Sequence, residues 1–297
     1  MKASTLAAID IGSNAVRLLI NAVEAGPGGP EFKKLAFLRV PIRLGEDVFT
    51  LCRISDAKAD RLMEAMQSFS HLMRAYAVSG FRACATSAMR DADNGKELAR
   101  AIKKMTGIDI EIVSGAQEAG LICAAGAPPQ ALCAGEICLY ADVGGGSTEL
   151  AVCADRQVRF HDSFRIGTIR ILNNAVAEAE KTRFAHSLEK IRRHHAPAYL
   201  VAFGGNISRA YAMLDKTGDD LIRLHELETL CAKLRALRRE GRMQVCNLDG
   251  HKADAIVPAL EIFIEIVSAC PSLRGVCVSK TGLGDGLIRD LYKQLQA

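Results

Sequence analysis

The feature that most constrains this chain is a device that occurs twice. Leu6-Ala7-Ala8-Ile9-Asp10-Ile11-Gly12-Ser13-Asn14-Ala15-Val16-Arg17-Leu18-Leu19-Ile20 and Leu139-Tyr140-Ala141-Asp142-Val143-Gly144-Gly145-Gly146-Ser147-Thr148-Glu149-Leu150-Ala151-Val152 both read apolar strand, Asp, small-residue turn, apolar strand. Aligned, Asp10 falls on Asp142, Gly12 on Gly144 and Arg17 on Glu149. Turns made of Gly, Ser, Thr and Asn present backbone N–H groups and hydroxyls with little bulk in the way, which suits a phosphate. The Asp beside each suits a divalent cation or a water. Two such turns facing each other would grip a phosphate chain from both sides.

The hydrophobic periodicity around the two devices repeats as well. In the first half it predicts strands near 5–11, 15–23 and 32–39, a helix at 56–77, a strand at 81–86, a helix at 94–106, a strand at 109–113 and a helix at 115–125, with a turn at Gly26-Pro27-Gly28-Gly29-Pro30. In the second half it predicts strands at 136–143, 148–153 and 157–164 around a tight turn near Asp155, helices at 168–177 and 182–194, and a strand at 198–203. Helices at 206–214, 226–239 and 251–268, a strand at 275–279 and a helix at 284–295 complete it. Three strands followed by alternating helix and strand, twice over, imply two α/β lobes with mixed sheets and an interdomain cleft. The boundary falls at Gly126-Ala127-Pro128-Pro129, giving lobes 1–126 and 127–283. The last helix, about 284–297, is amphipathic through Leu287, Ile288, Leu291 and Leu295. Whether it docks on the first lobe is left open by the pattern.

Composition narrows the class. Of 297 residues 49% are hydrophobic and 24% charged, as in an ordinary globular protein, and no run approaches the roughly 20 apolar residues that span a bilayer. The chain reads as cytoplasmic, with no membrane partner. Its ten cysteines lie mostly in apolar segments without a C-x-x-C pair, so they read as reduced, buried hydrophobes. The net charge of +4 fits an anionic small molecule or polyanion, whereas 5% aromatic residues and no Trp speak against nucleic acid. Whether the chain pairs as a homodimer stays open.

Several side chains could carry chemistry. Asp10 and Asp142 end apolar strands, where a carboxylate either caps its own turn or meets a cation, water or N–H donors. Gly144, Gly145 and Gly146 clear side chains from the approach of a ligand, Ser147 and Thr148 add hydroxyls, and Glu149 could join Asp142 at Mg²⁺. Arg17 offers a cation to phosphate oxygens. Thr86, Ser87 and Arg90 follow a strand and precede a helix, where open α/β sheets place ligand contacts, and they suit oxyanions. Asn94 reads as an N-cap. Glu118, in the first turn of a helix, is either a cap-type carboxylate or a general base. Gly204-Gly205-Asn206 is a strand-to-helix turn of the nucleotide or phosphate type.

Together these motifs resemble the exopolyphosphatase/guanosine pentaphosphatase (Ppx/GppA) family, within the superfamily of sugar kinases, actin and heat-shock chaperones. Ala8 to Asn14 with Arg17-Leu18-Leu19 resembles its first phosphate motif, and Asp142 to Leu150 its second. Arg43-Leu44-Gly45, Ala85 to Ala92, Ser114 to Ala119, Phe164-Arg165-Ile166-Gly167, Gly204-Gly205 and Gly282 to Leu287 follow in family order. The resemblance implies duplicated actin-like, ribonuclease H-like domains and Mg²⁺- or Mn²⁺-dependent hydrolysis of a terminal phosphoanhydride. It makes Glu118 the catalytic base, gives metal and the nucleophilic water to Asp142 and Glu149, and gives phosphate to Ser13, Asn14, Arg17, Arg90, Gly145, Ser147 and Thr148. The implied substrate is inorganic polyphosphate. The alternatives are guanosine pentaphosphate, or a module that senses polyphosphate or guanosine tetraphosphate with slow turnover. Gln117, Asn206 and Gly284-Asp285 depart from the family pattern, and the C-terminal helical domains of long members are missing, which tells against processive handling of very long polymers.

Overall fold

The computed structural model describes residues 4–26, 29–125, 135–154, 157–247 and 250–296. The boundary segment at Gly126–Pro129, the turn at Asp155 and Pro27-Gly28 of the first hairpin lie outside these residues. The chain divides into two compact units, Met1–Ala125 with Leu283–Ala297, and Gly126–Gly282.

In the first unit, β1 (Ser4–Ile11), β2 (Val16–Gly26), β3 (Gly29–Val40), β4 (Gly80–Ala85) and β5 (Ile110–Ile112) form one sheet in the order β3-β2-β1-β4-β5. β1, β2 and β3 run antiparallel, and β4 and β5 join parallel to β1. The central β1 is almost entirely buried, which explains its unbroken apolar sequence; the edge strand β3 is the exposed, charged one. Helices Asp56–Ala75 and Gly95–Thr106 supply Leu62, Met66, Phe69, Leu98 and Ile102 to the core. The C-terminal helix Leu283–Gln296 docks on this unit, against helix Gly115–Ala125 and strands β1, β2 and β4. Gly286 makes that approach possible, since any β-carbon there would overlap the Leu121 carbonyl.

The second unit repeats the topology. β6 (Cys138–Val143), β7 (Thr148–Ala154), β8 (Gln157–Phe164), β9 (Tyr199–Phe203) and β10 (Val276–Val278) stand in the order β8-β7-β6-β9-β10, with the same mixture of antiparallel and parallel pairs. The repeat extends to irregularities: a β-bulge interrupts β2 at Ile20/Asn21 and β7 at Val152/Cys153, which are aligned positions. The long apolar helix Gly250–Ala269 crosses the core with Ile256, Leu260, Phe263 and Ile266.

The architecture is thus the expected duplicated α/β arrangement with mixed sheets, with local differences. A helix at Leu44–Leu51 has no counterpart in the periodicity, because Arg43 enters it from the left-handed region (φ 60°) after Pro41. The helix expected at 168–177 stops at Leu172, where Asn174 turns left-handed (φ 52°). A separate helix, Arg239–Cys246, follows Leu224–Ala236.

Candidate active site

Each turn is held at its carbonyls, partly by its own backbone and partly by neighbouring segments. In the first unit the Gly12 N–H donates to the Ala15 carbonyl at 3.1 Å, the Gly45 N–H to Ser13 at 2.9 Å and the Arg43 N–H to Asn14 at 3.0 Å. In the second the Gly144 N–H donates to Ser147 at 2.9 Å, the Ile169 N–H to Gly145 at 2.8 Å, and Arg170 Nε to Gly146 at 2.7 Å. The same three carbonyls are therefore consumed in both turns, and the N–H groups that follow Gly12 and Gly144 donate to no backbone carbonyl among the described residues, which suits an anion. Close packing of the support requires glycine. A β-carbon on Gly167 would lie 2.6 Å from the backbone of Gly145 and Gly146, and one on Gly45 3.0 Å from Ser13 Cβ. Arg170 is a buried residue that sequence reading missed; the spacing from Arg165 through Gly167 carries it, but only the fold shows what it supports.

The residues opposite each other at the mouths of the hairpins differ. Asp10 pairs in register with Arg17, and Arg17 Nη1 lies 2.5 Å from Asp10 Oδ2. The cation that Asp10 meets here is this guanidinium. Asp142 pairs in register with Glu149, which is 3% exposed and accepts a hydrogen bond from Ser163 Oγ at 2.9 Å. Like charges directly opposite on an antiparallel pair destabilise it. Among the described residues no group of three or more His, Cys, Asp or Glu side chains converges. A cation at Asp142 and Glu149 would be completed by substrate oxygens and water, which is how Mg²⁺ is ordinarily bound. Gly204 (φ +110°) brings its backbone beside the same carboxylate: a β-carbon there would sit 3.5 Å from Asp142 Oδ1. Gly205 opens helix Gly205–Met213 with nothing crowding its α-carbon.

At the C-terminal ends of β1, β4 and β5 the remaining first-unit candidates assemble. Ser13 and Ser87, both buried, share a hydrogen bond of 2.8 Å between their hydroxyls, and the Thr86 N–H donates to Ile11 at 3.1 Å. Arg90 donates to the Val113 carbonyl at 2.7 Å and stands 3.6 Å from Glu118 Oε2. The cap of helix Gly115–Ala125 belongs to Gln117: its Oε1 accepts from the Ser114 N–H and hydroxyl, and its own N–H donates to Ser114 Oγ. That accounts for Gln117 and relieves Glu118, 6% exposed, of capping.

Two candidates take structural positions. Thr148 is wholly buried and donates its hydroxyl to the Ile166 carbonyl at 2.7 Å, tying the turn to its support. Asn94 bonds both ways to the Ile54 backbone instead of capping its helix. Cys84, in register with Asp10, is not a nucleophile. Burial, with Glu111 and Asp10 nearby, pushes its thiol up to about 12.

Comparison with known proteins decides the family. Residues 20–295 match the model of the Ppx/GppA phosphatase family. The chain belongs to this family. Exopolyphosphatase 1 of Mycobacterium tuberculosis is 30% identical over 56% of the chain and 47% of its own length. The guanosine-5'-triphosphate,3'-diphosphate pyrophosphatase of Aeromonas salmonicida is 25% identical over 96% of the chain and 59% of its own. The chain thus spans about half the length of the curated relatives it matches. Among solved structures, an exopolyphosphatase from Cytophaga hutchinsonii superimposes with a TM-score of 0.83 at 25% identity, covering 99% of this chain and 98% of that one. The Aquifex aeolicus Ppx/GppA family member gives 0.80 at 22% identity over the whole of both chains.

Proposed function

We propose that this Ppx/GppA member is an exopolyphosphatase, removing the terminal phosphate of inorganic polyphosphate with Mg²⁺ or Mn²⁺. The observation that carries the reading is the register pair Asp142–Glu149 beside a glycine turn in which the N–H groups of Gly145, Gly146 and Ser147 donate to no backbone carbonyl among the described residues: a site with two carboxylates and anion donors suits a metal-bound phosphate. Asp142 and Glu149 would hold the cation, which when bound supplies charge neutralisation to the phosphate oxygens. The N–H groups of Gly145, Gly146 and Ser147, and in the other turn Ser13, Asn14 and Arg17, bind phosphate, with Asp10 holding Arg17 in place.

Glu118 serves as general base. It takes a proton from water, whose oxygen bonds to the terminal phosphorus as the bridging P–O bond breaks and the shortened chain leaves as an oxyanion. Thr86 and Arg90 sit on the segment beside it and orient the phosphate.

The Aeromonas relative aligns with nearly the whole chain, which favours a second reading, guanosine pentaphosphate as substrate in the same site. Incubating purified protein and Mg²⁺ with each substrate while measuring released phosphate tests both. Faster release from polyphosphate is expected. Release only from the nucleotide would establish the second reading, and release from neither would overturn both.

A further inference from the structure

The row that carries the two carboxylates continues onto the third strand. Asp142 on β6 stands in register with Glu149 on β7, and Glu149 with Ser163 on β8, whose hydroxyl donates to Glu149 Oε1 at 2.9 Å. In the first unit the corresponding strand partner of Arg17 is Arg39. The serine therefore accompanies the carboxylate and not the shared backbone.

What holds that serine is Arg183, on helix Glu178–His194. All five of its N–H groups find acceptors. Nε and Nη2 take the two oxygens of Glu180 at 2.9 and 3.0 Å, Nη1 takes both oxygens of Asp162 at 2.8 Å, and Nη2 also reaches the Ser163 carbonyl at 2.5 Å. The guanidinium lies over the ring of buried Phe164, 4.2 Å from its centroid. Asp162 in turn accepts the Ser163 N–H at 2.8 Å, and Glu180 the Arg165 N–H at 2.7 Å. One helix side chain and its two carboxylates thus grip residues 162–165 without a gap.

Strand alternation converts this grip into aim. Asp162 and Phe164 turn toward the helix, so Ser163 between them points to the opposite face, where Glu149 lies. The side chain of Arg183 is 39% exposed, and ion pairs at that exposure contribute little to stability. A bidentate fork with every donor used fixes geometry instead. Because its charge is met by Asp162 and Glu180, Arg183 acts on Glu149 through position rather than through field. Two carboxylates in register repel each other, and a donor held fixed on one oxygen of Glu149 opposes that divergence.

We infer that Arg183 is a positioning residue for the proposed cation site: through the backbone of Ser163 it sets the orientation of Glu149, and hence the affinity for the divalent cation. The inference rests on the cation-binding reading of Asp142 and Glu149.

The experiment titrates Mn²⁺ alone into the intact protein and reads free Mn²⁺ by electron paramagnetic resonance, with melting curves alongside. Asp142→Asn tests the cation site itself; Ser163→Ala, Arg183→Gln and their double variant test the relay. Arg183→Gln should weaken Mn²⁺ binding about three- to tenfold, less than the ~10–100-fold typical of groups bonded directly to a ligand. It should add nothing to the loss caused by Ser163→Ala. Arg183→Lys keeps the charge between Asp162 and Glu180 but loses the fork, so it should retain most of the Tm and little of the affinity. It takes the place of Arg183→Gln, alone and in the double variant, if that protein does not fold.

A role in stability alone predicts a lower Tm with unchanged Mn²⁺ affinity. That result, or additive losses in the double variant, overturns the relay while weakened binding by Asp142→Asn leaves the cation site standing. If the wild type binds no Mn²⁺, or Asp142→Asn binds it equally well, the cation site fails and the relay with it.

Discussion

The two units share a backbone down to the position of a bulge and the three carbonyls that anchor each turn, yet they differ at the residue pair across the hairpin mouth. Asp10 faces Arg17 in the first, Asp142 faces Glu149 in the second. One mouth holds a guanidinium against its carboxylate; the other sets two carboxylates in register. On the function proposed above, a single change of sign at one aligned position would separate an anion-binding turn from a cation-binding one, while the scaffolding that shapes both turns is kept. Support is conserved in geometry even where its chemistry differs: Asn14 is held by a backbone N–H and Gly146 by the side chain of buried Arg170.

The largest effect expected lies outside this pair and provides its reference. Glu118→Gln keeps the shape of the side chain and removes the base, so kcat should fall by ~10²–10⁴ with polyphosphate binding retained. Hydrolysis near the wild-type rate would remove Glu118 from the chemistry.

The comparison itself is broken or kept by titrating metal. Asp142→Asn should raise the Mg²⁺ concentration for half-maximal activity ~10–100-fold, and Ser163→Ala should raise it less, by releasing Glu149. Asp10→Asn should leave that concentration alone and raise KM, since it removes the carboxylate that positions Arg17. If Asp10→Asn moves the metal dependence as much as Asp142→Asn, the two mouths are not functionally distinct.

The supports give the next effect. Gly167→Ala forces a β-carbon against the backbone of Gly145 and Gly146 and should cost about 1–3 kcal/mol, read as a lower Tm. Gly45→Ala meets mainly the Phe49 ring and should cost less. Equal losses would show that the first turn is supported as rigidly as the second.

The smallest effect concerns acid. Glu180 accepts the Arg165 N–H and binds Arg183, whose hydrogen bonds hold its carboxyl below the ordinary value of 4.5. A depressed carboxyl stabilises the fold above its unfolded value, and that contribution is lost as pH falls through the folded one. Glu180→Gln should therefore cost under about 1 kcal/mol at pH 7 and flatten the acid side of the stability profile near pH 4. An unchanged profile would place Arg165 outside the support of the second turn.

Much of this was legible in the sequence because the duplication is local. Apolar strands interrupted by Asp10 and Asp142 predict the hairpins, and their alignment predicts matching sheets. What the sequence hides is cross-strand register and long-range backbone support. Arg17 and Glu149 are visible as aligned residues, but that one neutralises its partner Asp while the other faces a like charge follows only from pairing. Gly45 and Gly167 could be picked out by resemblance, with no hint that each packs against a turn many residues away. The helix Leu44–Leu51 is invisible to periodicity because its start depends on a left-handed Arg43. Thr148 shows the opposite error, a hydroxyl that composition offers to a ligand and packing assigns to a carbonyl.

The docking of Leu283–Gln296 onto helix Gly115–Ala125 has a consequence for biosynthesis. The wall behind Glu118 is contributed by residues that are translated only after the entire second unit. Contacts so distant in sequence form late and slowly, so the first unit waits incomplete while the second folds as a continuous segment. A nascent chain that stops short of Leu283 would hold both turns but lack the helix that backs Glu118.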